Sequence, residues 1–377
     1  MKRTTLSCLG LAAVLLTALG CVQGATGGTA GTSIYVYDNA SGNVLVWNDV
    51  NTLYDAPTAP PAVDATLTAG NISNMKPLAW GGMAVDPSHD ALYLVAAAGG
   101  AVTCITQLST QTGAVTVAND ITTFNLGQST DVYSGGSFGQ AFVNPQTNTL
   151  YVTETNSDRT ASRIWVVPSA SATGGATVPV SSTIPVISND MGFSGVAVSK
   201  GGTVYGYFPN GNTIYSNLLQ NTPLDGGRIR AGSGSFSTLP VSNVVVGDLT
   251  DLSDSTTTFG TLAFDTVNNL LYCARQASST ATTPLPAVVQ FNPGQFTSSN
   301  FNVAPNATLS DTAATLPNLR FITHAGLKDW LAGADMVSSA GSNSLYLWKA
   351  PSTGGSATTV TLTTGIAIGG IALDGNN

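Results

Sequence analysis

The chain has 377 residues, of which only 8% are charged, and its formal net charge is −8. Soluble domains usually carry about 25% charged residues, so an uncharged polar surface of Gly, Ser, Thr and Asn is expected here. An acidic chain of such low charge density offers no footprint for phosphates, which excludes nucleic acid as a partner.

The first 20 residues have the organisation of an export signal. A basic start, Lys2 and Arg3, precedes an uncharged apolar run over residues 6–20, which is shorter than the roughly 20 residues of a membrane-spanning helix. Residues 17–21, Thr-Ala-Leu-Gly-Cys, resemble the lipobox of bacterial lipoproteins, in which the signal is cleaved before the cysteine and its thiol is acylated, for example with palmitate. The resemblance implies that Cys21 is lipidated. Because Val22 rather than Asp follows, it also implies export to the outer membrane.

An ordinary signal peptide with an unrelated cysteine is the alternative. In either case residues 1–20 are a signal peptide, residues 21–32 form a flexible tether rich in Gly, Ala and Thr, and residues 33–377 form a single domain. Loss of Lys2 and Arg3 leaves ten basic against twenty acidic residues, a net charge of −10. Cys104 and Cys273 lie in different apolar segments, which favours buried free thiols over a disulfide.

A short motif recurs along the chain and defines its organisation. Its first copy, residues 82–93, reads Gly-Met-Ala-Val-Asp-Pro-Ser-His-Asp-Ala-Leu-Tyr, which is typical of a buried strand, a tight turn and a second strand. Four further copies start at Gly139, Gly195, Gly260 and Gly370. The first strands of the five copies end at Asp86, Asn144, Ser199, Asp265 and Asp374.

The spacing of these copies reveals one more. The intervals between the strand ends are 58, 55, 66 and 109 residues. The last interval is nearly twice the others, which predicts a degenerate copy between residues 265 and 374. Residues 321–328, 331–337 and 344–348 supply it, with a shortened first hairpin.

Each copy predicts four antiparallel strands. The predicted third strands are residues 44–47, 163–167, 213–215, 287–290 and 345–348, and Thr/Val-rich fourth strands follow, as at residues 176–180 and 358–362. Four-stranded antiparallel sheets repeated radially make a β-propeller. The innermost strands are nearly all apolar, because both of their faces pack between blades.

The two ends of the domain complement each other. The chain ends in an inner strand, residues 368–374, and the domain begins with second and third strands at residues 33–38 and 44–47. Pairing these strands closes the ring and leaves no exposed sheet edge. The sequence therefore predicts an all-β, six-bladed propeller of four-stranded antiparallel blades, and a monomer. A seventh blade from residues 218–258 is the minor alternative.

The Gly-x-Ala-x-Asp-Pro and Leu-Tyr-Val rhythm resembles that of NHL-type and gluconolactonase-like six-bladed propellers. The resemblance covers essentially all of the chain beyond the tether. It implies a fold rather than an activity, since propellers have many functions.

One face of the predicted ring collects most of the polar candidates. This face carries the loops between second and third strands and those that lead to the next inner strand. The candidates are Asp38, Asp131, Tyr133, Glu154, Asn156, Asp190, Asp248, Asp251, Asp254, Arg275, His324 and Asp335. Their eight carboxylates are a possible Ca²⁺ site, since Ca²⁺ takes six to eight oxygen ligands; a solvated acidic rim is the alternative. Asp86 and His89 fall in a turn on the opposite face.

The composition argues against most catalytic chemistry. The chain has two histidines, His89 and His324, and no Cys-x-x-Cys pair, which argues against a zinc site. We therefore expect a non-enzymatic, outer-membrane-tethered propeller that binds an unknown protein or acts as a scaffold, without a cofactor. One alternative is a Ca²⁺-dependent lactonase-like hydrolase that uses the acidic face. Another is a glycan-binding surface protein with stacking aromatics such as Phe138, although the recurrence of these aromatics at one position of the repeat favours a place in the core between blades.

Overall fold

The computed structural model describes the chain from residue 31 to residue 375 with gaps. The described ranges are residues 31–68, 70–73, 82–110, 113–116, 120–128, 133, 136–157, 161–187, 195–208, 213–215, 224–225, 228–229, 243–245, 261–275, 287–295, 305–311, 319–325, 328–335, 343–363 and 365–375. The predicted signal peptide, Cys21 and most of the predicted tether lie outside them. None of the helices within these ranges is long and apolar enough to cross a membrane.

The regular structure of the described residues is mostly β-strand, with two short α-helices, α1 (Val50–Asp55) and α2 (Gly70–Ser73). Five 3₁₀-helices of three residues each are also described: Leu108–Thr110, Ala170–Ala172, Val180–Ser182, Pro293–Gln295 and Pro351–Thr353. Its strands are, in chain order, β1 (Ser33–Asp38), β2 (Asn43–Trp47), β3 (Ala65–Thr68), β4 (Met83–Asp86), β5 (Ala91–Val95), β6 (Ala101–Thr106), β7 (Gly113–Thr116), β8 (Ile121–Leu126), β9 (Ser137–Asn144), β10 (Thr149–Thr155), β11 (Ala161–Val167), β12 (Thr177–Val178), β13 (Thr183–Ile187), β14 (Gly195–Val198), β15 (Val204–Phe208), β16 (Thr213–Tyr215), β17 (Leu224–Asp225), β18 (Arg228–Ile229), β19 (Asn243–Val245), β20 (Leu262–Asp265), β21 (Leu270–Arg275), β22 (Ala287–Phe291), β23 (Ala307–Asp311), β24 (Leu319–His324), β25 (Trp330–Asp335), β26 (Ser344–Lys349), β27 (Ser356–Thr361) and β28 (Ile368–Asp374).

The strands form antiparallel runs of four, arranged as a propeller. The runs are β28-β1-β2-β3, β4-β5-β6-β8, β9-β10-β11-β13, β14-β15-β16-β19, β20-β21-β22-β23 and β24-β25-β26-β27. The first strand of each run is the innermost. Every residue of β4, β14, β20 and β28 is buried, because both faces of these strands pack against neighbouring sheets.

The predicted closure is confirmed. β1 lies between β2 and the C-terminal strand β28, and its register with β28 runs from Ser33 opposite Asp374 to Tyr37 opposite Gly370. The innermost strands contact one another in the cyclic order β28, β4, β9, β14, β20 and β24, and β24 contacts β28 again. The sheet edges at the two ends of the domain therefore cover each other.

The number of separate sheets differs from the prediction. The described strands form five hydrogen-bonded sheets rather than six, because one sheet has eight strands. In that sheet β23 and β27 are joined in parallel, with Ser310 opposite Ser356 and Asp311 opposite Ala357. The segment predicted as a degenerate copy supplies the β24–β27 half.

Two further predictions need correction. Residues 176–180 are not a fourth strand: β12 pairs in parallel with β8 of the preceding sheet, and β13 takes the fourth position. Residues 218–258 contain β17, β18 and β19, which extend the sheets of β13 and β16 and form no sheet of their own among the described residues. Cys104 and Cys273 are free and buried, as predicted.

Consecutive strands of each sheet run in opposite directions, so their connections lie alternately at the two ends of the ring. The connections from first to second strands, such as residues 86–91 and 265–270, lie on one end, which we call the turn face. The connections from second to third strands, such as residues 38–43 and 155–161, lie on the other end, which we call the loop face. Inner strands run from the loop face to the turn face, so Asp86, Asp265, His324 and Asp374 all end on the turn face.

Candidate functional site

The inner strands surround a central cavity of about 200 Å³ that lies toward the turn face. Its walls are mostly apolar, with Met83, Phe142 and Phe264 among them. Turn residues from three blades also line it; they are Pro87, Ser88, Pro145, Gln146 and Thr266. Sites for drug-sized ligands usually have about 300–1,000 Å³, so this cavity suits a small molecule or a single side chain of a partner.

The carboxylate of Asp38, a loop-face candidate, is used in hydrogen bonds to neighbouring groups of the fold. Its side chain is only 5% exposed. One oxygen accepts hydrogen bonds from the backbone N–H groups of Ala40 at 3.0 Å and Ala367 at 2.8 Å, and the other accepts from the N–H and hydroxyl groups of Ser41. Asp38 therefore closes its own turn and fastens it to the segment before β28; it is not presented to a ligand.

Glu154, the second loop-face candidate, is also internally satisfied. Its side chain is fully buried, and it accepts hydrogen bonds from the Tyr133 backbone N–H at 2.7 Å, the Arg163 Nε–H at 2.5 Å and the Trp165 Nε1–H at 2.7 Å. The Arg163 guanidinium lies 4.3 Å from the Tyr133 ring centroid and 4.7 Å from that of Trp165. This arrangement is a buried ion pair in which the Arg163 guanidinium already supplies the positive charge beside Glu154, which argues against a metal ion there.

Of the remaining carboxylate and arginine candidates of the predicted loop-face site, the structure describes only the strand positions of Arg275 and Asp335. Asp131, Asp190, Asp248, Asp251 and Asp254 lie outside the described residues. Arg275 and Asp335 end β21 and β25, at the loop face as predicted. Phe138, considered for glycan stacking, is 2% exposed and packs in the core between sheets.

The placement of His324 on the loop face is wrong. His324 ends the inner strand β24 and pairs with Leu331 at the start of β25, which puts it on the turn face. The shortened hairpin of this blade lacks the Asp-Pro that marks the turn in the first copy, so no residue pattern marks the end of this strand.

On the turn face His324 meets two carboxylates, those of Asp265 and Asp329. One ligand atom from each of the three side chains lies within 4.8 Å of the other two. His324 Nε2 is 3.6 Å from Asp265 Oδ2, and both side chains are 1% exposed. Two ionised carboxylates this close repel each other. A cation between them would remove that repulsion.

Each member of this cluster is held by other groups. Asp265 accepts hydrogen bonds from the backbone N–H groups of Val267 and Asn268, both at 2.9 Å, and from the Asn268 side-chain amide at 2.7 Å. Asp329 accepts from the backbone N–H and the hydroxyl group of Ser352. These hydrogen bonds therefore orient both carboxylates toward the cluster.

The imidazole of His324 is held by stacking. It lies parallel to the Tyr272 ring, with centroids 5.6 Å apart and an angle of 11° between the planes. Burial lowers the pKa of His324 below its usual value, although Asp265 and Asp329 act in the opposite direction. A neutral imidazole is the form that can bind a metal ion.

The same positions recur elsewhere in the ring with different chemistry. Asp86 ends β4 as Asp265 ends β20, and it accepts hydrogen bonds from the Asn148 side-chain amide at 2.6 Å and from His89 at 2.9 Å. Asn148 precedes β10 as Asp329 precedes β25. Its Oδ1 accepts from the N–H and hydroxyl groups of Ser171, as Asp329 accepts from Ser352. We call the contact between Asp86 and Asn148 the Asp86 junction, and the corresponding contact between Asp265 and Asp329 the Asp265 junction. The Asp86 junction pairs a carboxylate with an amide, whereas the Asp265 junction pairs two carboxylates beside a histidine.

Sequence reasoning identified Asp265 only as the end of a strand and did not consider Asp329. The signal that could have found them is the alignment of the copies on their hairpins. This alignment places Asp329, Asn148 and Asp90 at the same position of their copies. Asp90 accepts hydrogen bonds from the N–H and hydroxyl groups of Ser109 in the same way. The Asp86 turn behaves as predicted, with its carboxylate accepting from the backbone N–H groups of Ser88 and His89.

Comparisons with known proteins found only distant structural similarities. No family model and no curated protein matches the chain. Among solved structures it is similar to a chain of the nidogen/laminin complex (12% identity, TM-score 0.48) and to a protein of unknown function from Bacteroides caccae (10%, 0.48), in each case over 91% of this chain and 98% of the other. It is also similar to the allergen Mala s 1 of Malassezia sympodialis (11%, 0.45), over 77% of this chain and 80% of that one. Because these TM-scores are below 0.5, the propeller assignment rests on the sheet topology and on the ring of inner strands.

Proposed function

We propose that this chain is an exported lipoprotein, anchored at the outer membrane through Cys21, whose propeller binds a small ligand or a partner side chain rather than catalysing a reaction. The observation that carries the binding role is the central cavity, with apolar walls and a rim of turn residues. The sequence of residues 1–21 supports the anchor. We count the eight-stranded sheet as two blades, which makes the propeller six-bladed, because each half contributes its own inner strand to the ring.

The tether and the cavity lie at the same end of the molecule in this proposal. Ser33 pairs with Asp374, which ends an inner strand, so the chain enters the propeller at the turn face. Thr32 is buried and accepts a hydrogen bond from the Val50 backbone N–H, so the tether that we propose ends at residue 31, and a Gly-rich linker of that length has an r.m.s. length of about 18 Å. The cavity would then face the membrane across a gap of that size, where envelope proteins and their ligands are found.

The acidic loop face is not the basis of this proposal. Asp38 and Glu154, its two carboxylates with described side chains, are occupied by internal hydrogen bonds. We therefore place the binding site on the turn face and do not carry forward the Ca²⁺-dependent hydrolase. A glycan remains a candidate ligand only as a single sugar unit, given the size of the cavity.

The anchor is tested by Cys21→Ser in the native host. The variant should leave the membrane fraction and lose labelling by a fatty-acid analogue. A variant that stays membrane-bound and labelled would contradict the lipoprotein assignment.

The binding site is tested by blocking the cavity. Ser88 lines the cavity, is exposed and follows Asp86 by two residues; Ala40 follows Asp38 by two residues on the loop face. We would screen small acids, amines and monosaccharides by thermal shift against the wild type, Ser88→Trp and the matched control Ala40→Trp. A ligand of the cavity should stabilise the wild type and Ala40→Trp but not Ser88→Trp. Equal stabilisation of all three would place the site elsewhere.

A further inference from the structure

We propose that Asp265, His324 and Asp329 bind a divalent transition-metal ion, such as Zn²⁺ or Mn²⁺, on the turn face of the propeller. The three side chains come from two adjacent blades: Asp265 from the end of β20, His324 from the end of β24, and Asp329 from the turn before β25. This inference adds a metal to the protein and stands whether or not the chain is membrane-anchored.

The distances suit an ion of this kind. Metal–ligand bonds of about 2.1 Å hold ligand atoms roughly 3–4 Å apart. His324 Nε2 and Asp265 Oδ2 are already 3.6 Å apart, and no distance within the cluster exceeds 4.8 Å. Closure by about 1 Å would complete the site. Asp329 is the half-buried member, and its movement would lengthen its hydrogen bonds to Ser352.

The comparison between junctions explains why a cation is needed here. At the Asp86 junction the Asn148 amide donates a hydrogen bond to the carboxylate. At the Asp265 junction the corresponding residue is Asp329, and an ionised carboxylate cannot donate. The same backbone arrangement therefore brings together two negative groups and a histidine, which is a donor set for a metal rather than for another hydrogen bond.

The donor types select the class of metal. Imidazole is a preferred ligand of Zn²⁺ and carboxylates are preferred ligands of Mn²⁺, so a mixed set of one imidazole and two carboxylates suits a divalent transition metal. Ca²⁺ takes six to eight oxygen ligands and does not favour nitrogen. Three protein ligands leave at least one position for water or for an anionic group of a molecule in the cavity, which His324 also lines. That last extension rests on the proposed ligand-binding function; the metal site itself does not.

The chain supplies a matched pair of variants for the test. Asp329→Asn removes a ligand but installs the residue that stands at position 148, where the amide binds both Asp86 and a serine turn. Asp90→Asn makes the same change at a residue that binds the Ser109 turn as Asp329 binds the Ser352 turn, but Asp90 lies outside the cluster. His324→Gln is a second ligand variant, which covers the case that Asp329→Asn does not fold.

The measurement is isothermal titration of the full chain, stripped with a chelator and free of a histidine tag, with Zn²⁺, Mn²⁺, Mg²⁺ and Ca²⁺. We expect one equivalent of Zn²⁺ or Mn²⁺ to bind more tightly than Ca²⁺ or Mg²⁺. Asp329→Asn and His324→Gln should weaken it by about 100-fold or more, because loss of an outer-shell partner alone costs about 10–100-fold. Asp90→Asn should bind like the wild type.

Three results would overturn the proposal. One is a wild-type chain that binds neither Zn²⁺ nor Mn²⁺ stoichiometrically. The second is unchanged affinity in Asp329→Asn or His324→Gln. The third is a clear preference for Ca²⁺ over both transition metals. Because metal alone is the probe, failure here leaves the blocked-cavity experiment unaffected.

Discussion

The buried pair of Glu154 and Arg163 gives the sharpest stability prediction. Glu154 receives three donors and is fully buried, and Arg163 is 5% exposed. Glu154→Gln replaces one of the two acceptor oxygens by an NH₂ group. The remaining oxygen can accept only part of the three hydrogen bonds, and the NH₂ group cannot accept one from the N–H donors that it faces. The Arg163 charge is then left buried without its counter-ion.

The expected cost follows from that geometry. Breaking a buried ion pair by removing one partner destabilises a protein by about 3–5 kcal/mol. We therefore expect Glu154→Gln to lower the free energy of unfolding by that amount, measured by equilibrium urea unfolding followed by Trp fluorescence. Arg163→Met should cost a similar amount because it leaves the carboxylate unpaired.

The double variant Glu154→Gln/Arg163→Met is the control. It removes both charges, so its loss of stability should be at least 1 kcal/mol smaller than the sum of the two single losses. The reasoning is refuted if Glu154→Gln costs less than 1 kcal/mol, or if the double variant loses the full sum.

Three further predictions concern the ring, its closure and its thiols. Gln140 on β9 accepts hydrogen bonds from the backbone N–H groups of Val196 and Leu262 at 2.9 and 3.0 Å and donates to the Leu262 carbonyl, so it joins three inner strands. Gln140→Leu should cost about 2–4 kcal/mol in urea unfolding, because buried groups lose their partners; a cost below 1 kcal/mol would contradict this role. Asp38→Ala should cost about 2 kcal/mol and should speed amide hydrogen exchange in β28 more than in β21, since Asp38 fastens the segment before β28; equal changes in both strands would argue against a local effect. Burial raises the pKa of the Cys104 thiol to about 11, so only about one thiol in a thousand is ionised at pH 8, against roughly one in four for an ordinary cysteine. Alkylation of Cys104 by iodoacetamide at pH 8, followed by mass spectrometry, should be at least 100-fold slower in the folded chain than in guanidinium; rates within tenfold would show that the thiol is accessible and ionised.

The fold was largely predictable because the repeat has a physical cause. Inner strands packed on both faces must be apolar throughout, and the turn after them needs Asp, Asn or Ser to bind backbone N–H groups. The resulting motif marks the same point in each blade, as at Asp86 and Asp265. Even the degenerate copy could be located, since a gap of nearly two intervals separates Asp265 from Asp374.

The side-chain site was much less predictable, because its contacts cross between strands and blades. Glu154 faces Arg163 directly across a hairpin, but that register depends on a loop whose conformation the sequence does not specify. Asp329 and Ser352 are 23 residues apart, as are Asn148 and Ser171, whereas Asp90 and Ser109 are separated by 19. With unequal spacings and one unmarked strand end at His324, the cluster on the turn face could not be assembled from one sequence.

The position of β1 also has a mechanical consequence. The chain enters at Ser33, and β1 is hydrogen-bonded along its length to β28 on one side and β2 on the other. A pull on the tether acts along the axis of β1, so both rows of hydrogen bonds resist sliding together rather than opening one at a time. In a propeller held by its N-terminus, a pulling force would therefore act directly on β1, the strand that closes the ring.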